Sequence, residues 1–148
     1  MSNIIIGTAG HIDHGKTALI RALNGFEGDS TNEEKQRGIT IDLSFSNLNR
    51  AERNIAFIDV PGHEKLIKNM IAGAFGFDYV MLVVSAKESL MPQTIEHIEI
   101  LSLLGIKNLI LVITKKDLVD EKMLKEQEKK IVEFLNEFEF NIKFIKAV

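Results

Sequence analysis

With 148 residues, 45% of them hydrophobic, the chain is sized for one domain with its own core and is too apolar for a disordered segment. No apolar run approaches the ~18 residues of a membrane span, and "MSNIIIGTAG" lacks the charged start and long apolar stretch of a signal peptide. The lack of cysteine excludes disulfides and thiol–zinc sites, and a net charge of −3 excludes a uniformly basic nucleic-acid platform. A cytoplasmic protein with no membrane or DNA partner is the expectation.

In chain order, "NIIIGT" (3–8) reads as a buried β-branched strand and "KTALIRALN" (16–24) as a helix stopped at Gly25. Residues 25–38 are polar and read as a long loop. Two strands, 40–48 and 54–59, flank the turn "NRAER", and 64–74 reads as a helix. "DYVMLVVS" (78–85) is a strongly apolar strand. Pro92 opens a helix over 92–104, and 107–113 is another buried strand. The helix over 120–138 sets Leu124, Ile131, Leu135 and Phe138 on one face, with Glu121/Lys125 and Glu126/Lys130 as i,i+4 pairs elsewhere. "IKFIKA" (142–147) resembles a last strand. Strands alternating with crossover helices imply an α/β fold, a mostly parallel sheet with helices on both faces. Ligands bind such sheets beyond the carboxyl ends of the strands, and the motifs fall there.

"GHIDHGKT", Gly10 to Thr17, fits G-x-x-x-x-G-K-[ST] between a strand and a helix. Its glycines let backbone N–H groups turn toward phosphates, and the helix adds the positive end of its dipole. Gly10, His11, Asp13, His14, Gly15, Lys16, Thr17 and Ala18 are the candidate phosphate-binding residues. Lys16 is placed to reach the β- and γ-phosphates and Thr17 to ligate Mg2+. A carboxylate beside a triphosphate is repelled unless a cation intervenes. Asp13 is therefore read either as a site for a monovalent cation (K+ or Na+) or as a partner of backbone amides in the loop.

"DVPGH", Asp59 to His63, ends the strand "IAFID" and fits D-x-x-G. Asp59 would hold magnesium through water, and the Gly62 amide would bond the γ-phosphate. His63 directly follows this glycine, and an imidazole there can orient an attacking water by hydrogen bonding. In "RGIT", Thr40 is a candidate second magnesium ligand. Ile12 and Ile39 form either an apolar gate beside that water or ordinary packing. His97, inside "QTIEHIEILSLL", reads as an ordinary helix residue. "TKKD", Thr114 to Asp117, has Thr where many GTP-binding proteins have Asn in a guanine-reading Asn-Lys-x-Asp. The Asp117 carboxylate can accept two hydrogen bonds from guanine, a match adenine does not offer. The Thr114 hydroxyl can both donate and accept, as Asn does, with shorter reach.

"GHIDHGKT", "EEKQRGITID", "DVPGHEKLIKNMIAGA" and "MPQTIEHIEI" together resemble the GTP-binding domain of translational GTPases over about residues 4–120. Elongation factor Tu and the gamma subunit of initiation factor 2 are similar. "TIDLSF", with Asp42, and the Thr of "TKKD" make the selenocysteine-specific elongation factors (SelB) the nearest group. The resemblance implies a P-loop GTPase fold, with Mg2+ on Thr17 and Thr40 supported by Asp59, and hydrolytic water positioned by His63. It implies guanine read by Asp117, with the Lys115 stem along the base and Thr114 bracing the pocket. It also implies GTP and GDP as ligands, delivery of selenocysteinyl-tRNA, an aminoacyl-tRNA, to the ribosome, and slow hydrolysis without that ribosome, since no arginine beyond the weak candidate Arg37 offers itself as a finger.

The chain is shorter than that family. Residues 1–148 are expected to be a GTP-binding domain lacking its last guanine-contacting loop and final helix. "SAK" (85–87) resembles that loop but precedes "TKKD", so it is read as the end of the "MLVVS" strand. Two other classes stay open: a nucleotide-binding module without appreciable hydrolysis, and an ATP-using P-loop kinase.

Overall fold

The computed structural model describes residues 2–11, 13–24, 44–50, 53–59 and 76–148. Strand β1 (Ser2–Gly10) runs into the phosphate loop, and helix α1 (Lys16–Asn24) follows it. Strands β2 (Ser44–Arg50) and β3 (Arg53–Asp59) pair antiparallel, from Arg50↔Arg53 to Ser44↔Asp59. Next come β4 (Tyr79–Ser85), α2 (Pro92–Leu103), β5 (Asn108–Thr114), a short 3-10 turn over Lys116–Leu118, α3 (Glu121–Leu135) and β6 (Asn141–Ala147). The six strands form one sheet in the order β2-β3-β1-β4-β5-β6, parallel throughout except for β2.

Alternation along the central strands builds a core on each face. Val80, Leu82 and Val84 of β4 and Leu109, Leu111 and Ile113 of β5 meet Ile98 and Leu101 of α2 and Ile131 and Leu135 of α3. On the opposite face Met81, Val83, Val112 and Phe57 gather around Ile20 of α1. Each full burial of such an aliphatic side chain contributes roughly 1.5–3 kcal/mol, so the central strands are apolar on both faces. This is the α/β architecture the alternating pattern predicts.

Most predicted elements appear within a residue or two of their expected ends. Residues 40–43 and the helix expected over 64–74 lie outside the described residues. The last helix stops at Leu135 rather than 138, yet Phe138 still packs on the same core from the turn that follows. Asp120 caps α3, its Oδ1 accepting the Met123 N–H at 2.7 Å. The Glu121–Lys125 pair forms at 3.1 Å, but both side chains are exposed and it contributes little. At the β5–β6 pairing the register shifts between Leu109 and Ile110, which leaves Lys143 as an extra residue between Ile142 and Phe144.

Parallel pairing brings strand ends of different sequence origin to one edge. Gly10 stands opposite Val83, and Ser85 opposite Thr114. Gly10 has φ 141°, and a Cβ there would lie 2.2 Å from the Val83 carbonyl oxygen. The phosphate loop can leave β1 this close to β4 only with glycine at that point. We expect Gly10→Ala to destabilise the fold by about 2 kcal/mol or more, read as a shift in the urea unfolding midpoint. An unchanged midpoint would show that β1 and β4 are not so closely apposed.

Candidate nucleotide-binding site

The phosphate loop is built from backbone turns that ordinary residues avoid. Asp13 has φ 64° and Gly15 φ 90°. Aspartate tolerates the left-handed region better than most residues, and glycine adopts it freely. Alternating handedness of this kind is what an anion-binding nest of N–H groups requires. The Leu19 N–H closes the first bond of α1, onto the Gly15 carbonyl at 2.9 Å. The positive end of the helix dipole therefore starts at Lys16, beside the loop. Lys16 is buried, and its Nζ donates to the Gly10 carbonyl at 3.2 Å, bridging the base of the loop.

His14 ties this loop to the two neighbouring strands. Its side chain is 0% exposed. Nδ1 accepts the Ser85 N–H from the end of β4 at 3.2 Å. Its main-chain carbonyl accepts the Thr114 hydroxyl from the end of β5 at 2.7 Å. Nε2 lies 3.0 Å from Glu88 Oε2. His11, half-buried, meets the His14 ring edge-on at a centroid distance of 5.1 Å. Burial pushes the His14 pKa down to about 4, against the pull of Glu88, so the ring is neutral near pH 7.

Past Thr114 the chain turns sharply. Lys115 takes φ 58° and is half-buried, and Asp117 sits exposed on the 3-10 turn. The Lys116 N–H donates to the Val148 carbonyl at 3.2 Å, which sets the end of β6 beside this segment. Ser85 is the last residue of β4, and the Ala86 N–H donates to the Thr114 carbonyl at 2.8 Å. Ser85 of "SAK" thus ends a strand, while Ala86 and Lys87 begin the turn after it, and the segment flanks "TKKD" in space.

Of the candidate residues, Gly10, His11, Asp13 to Ala18 and Thr114 to Asp117 lie at this one sheet edge. Asp13 and Ala18 are exposed, and Thr17 is half-buried on the first turn of α1. Asp59 is the last residue of β3, at the same edge. Ile12, Ile39, Thr40, Gly62 and His63 lie outside the described residues. His97 is more than an ordinary helix residue: it is 0% exposed, and its Nδ1 accepts the Gly10 N–H at 3.1 Å. The signal was available, because Gln93, His97 and Leu101 recur at four-residue spacing on the buried stripe of α2. A histidine in such a stripe needs a polar partner. Ser85 and Glu88 carried no comparable signal, since only the tertiary fold brings them to His14.

The family model for the elongation factor Tu GTP binding domain matches residues 1–148. The chain belongs to this family. It is 51% identical over 133 residues to a selenocysteine-specific elongation factor of Desulfomicrobium baculatum, a match covering 89% of this chain and 21% of that one. It is 38% identical over 157 residues to the translation initiation factor 2 subunit gamma of Thermococcus onnurineus, covering 90% of this chain and 38% of that one. The crystal structure of a bacterial selenocysteine-specific elongation factor, EF-Sec, superposes with a TM-score of 0.92 at 44% identity, over 99% of this chain and 26% of that one. The chain thus spans about a fifth to a quarter of the selenocysteine-specific relatives it matches. Its fold is the P-loop GTPase α/β fold.

In this GTP-binding domain the two buried histidines carry a pH signature. Burial, reinforced by the nearby Lys16 cation, pushes the His97 pKa down from 6.5 to about 3. The unfolded chain takes up that proton near the ordinary value, so it binds more protons than the folded chain as pH falls below 6.5. The stability that neutral His97 contributes is present above that pH and is lost as pH falls toward the folded value. In His97→Asn, whose side-chain oxygen can still accept the Gly10 N–H, urea unfolding energy should fall less steeply with decreasing pH. The slope should differ by up to about 1.4 kcal/mol per pH unit. Equal slopes would mean that His97 titrates in the folded chain as it does when unfolded.

Proposed function

We propose that this domain binds GTP and GDP with Mg2+ and hydrolyses GTP, as the switch of a selenocysteine-specific elongation factor. The observation that carries this reading is the joining of two motifs: the Thr114 hydroxyl that opens "TKKD" bonds the carbonyl of His14 in the phosphate loop. One segment suits a triphosphate, the other a guanine, and they are braced to one another. Identity of 51% to a selenocysteine-specific factor against 38% to an initiation factor gamma subunit favours the first over that sibling.

In this reading the amides of the loop from Gly10 to Ala18 hold the phosphates, and Lys16 leaves the Gly10 carbonyl for the β- and γ-phosphate oxygens. The Thr17 and Thr40 hydroxyls, hard oxygen donors, suit Mg2+, with Asp59, the last residue of β3, supporting the ion through water. The ion supplies neutralisation of phosphate charge when bound. Asp13 is a second, weaker cation position, for K+ or Na+. Gly62 contacts the γ-phosphate, and Ile12 and Ile39 shield the water that His63 aligns for attack. That water adds to the γ-phosphorus while the bond to the β–γ bridging oxygen breaks, giving GDP and phosphate. Asp117 reads guanine N1–H and N2–H2, and the Lys115 stem lies along the base. Hydrolysis is slow until the ribosome supplies the missing activation. The longer protein then delivers selenocysteinyl-tRNA in the cytoplasm.

Competition binding with fluorescent GTP tests the base assignment. Asp117→Asn should weaken guanine binding by roughly 100-fold, the loss of a charge-assisted double hydrogen bond, while Thr114→Asn stays within about three-fold of wild type. Equal loss from both would mean that the division of labour is wrong, and preferential ATP binding would point to a kinase-like P-loop protein. Ribosome-stimulated hydrolysis that survives His63→Ala would remove His63 from the mechanism. No hydrolysis at all under those conditions would leave a nucleotide-binding module.

A further inference from the structure

One charged side chain at the site has no part in the chemistry proposed above. Glu88 lies in the turn after β4, with its side chain 43% exposed and Oε2 3.0 Å from His14 Nε2. His14 Nδ1 takes the Ser85 N–H. A backbone N–H can only donate, so Nδ1 carries no proton there, and the single proton of the neutral ring sits on Nε2. That proton meets the Glu88 carboxylate. The approach is off the line of an ideal hydrogen bond, so the contact acts chiefly through charge.

The turn that delivers Glu88 is anchored on the same Ser85. The Glu88 N–H donates to Ser85 Oγ at 3.4 Å and the Ser89 N–H to the Ser85 carbonyl at 2.8 Å. Ser89, buried and left-handed at φ 61°, ends it. One serine therefore supplies the donor to one ring nitrogen and fixes the turn that brings a carboxylate to the other. The opposite tautomer would point Nδ1–H at the Ser85 N–H, two donors face to face.

We propose that Glu88 is a positioning residue for the phosphate loop: by stabilising the proton on His14 Nε2 it keeps Nδ1 available to the Ser85 amide and so holds the loop against β4. That the loop then holds a nucleotide rests on the function proposed above. Nitrogen NMR of the 148-residue chain reads the His14 tautomer, and stopped-flow release of a fluorescent GDP reads the loop. Wild type should show Nε2 protonated and Nδ1 bare. Glu88→Leu should populate the Nδ1–H form and release GDP roughly three- to ten-fold faster. Glu88→Gln, which keeps the shape but loses the charge, should behave as Glu88→Leu does. A wild-type ring protonated at Nδ1, a Glu88→Leu ring with unchanged tautomer, unchanged release, or wild-type behaviour in Glu88→Gln overturns the proposal. If no variant binds GDP, the functional reading fails, while the tautomer still decides whether Glu88 sets the ring.

Discussion

The burial of one neutral histidine inside the phosphate loop is the constraint on which the rest of the site depends. A loop that cradles phosphates must keep its backbone N–H groups turned toward the ligand, so it cannot use them all to hold its own shape. His14 supplies the hold instead through acceptors: a ring nitrogen for the Ser85 N–H and a carbonyl for the Thr114 hydroxyl. Both bonds run from a strand end into the loop. A charged imidazole would carry a proton on Nδ1 and lose the bond to β4, so keeping the ring dry and neutral is part of the architecture.

The parallel sheet makes this arrangement possible. Five strands with a common direction, β1, β3, β4, β5 and β6, finish at one edge, and Ser85 stands directly across from Thr114. His97 adds a third clip from α2, taking the Gly10 N–H where the loop leaves β1. The loop is therefore bound to three different elements, to β4 and β5 through two acceptors of His14 and to α2 through one donor, the Gly10 N–H. Thr114 also opens the base-reading segment, so any shift of that segment is felt at the His14 carbonyl. A single hydroxyl joins the phosphate and base halves of the site.

Much of this was legible in the sequence. The alternation of apolar runs with amphipathic stretches located the strands and helices, because buried parallel strands and one-sided helices leave different periods. The spacing of Gly10, Gly15, Lys16 and Thr17 located the phosphate loop, since few other sequences place a helix start after such a turn. The unusual Thr114 was harder to judge. Its type allowed a bracing role, but only the fold sets its hydroxyl 2.7 Å from the carbonyl of a residue one hundred positions earlier. His97 looked ordinary because a histidine on an apolar stripe is commonly just packed there. Glu88 and Ser85 had no pattern to betray them, as their roles arise from crossing strands rather than from local spacing. Sequence spacing extends α3 past its true end because Phe138 keeps the helical period while the chain has already left the helix.

A crystal structure of the 148-residue chain with Mg2+ and a non-hydrolysable GTP analogue is the most direct test of this account. If the loop is a preformed cradle hung on His14, Lys16 should exchange the Gly10 carbonyl for phosphate oxygens while the Ser85–His14 and Thr114–His14 bonds stay as they are. If either of those bonds breaks when the nucleotide binds, the loop is shaped by its ligand, and the central claim is wrong.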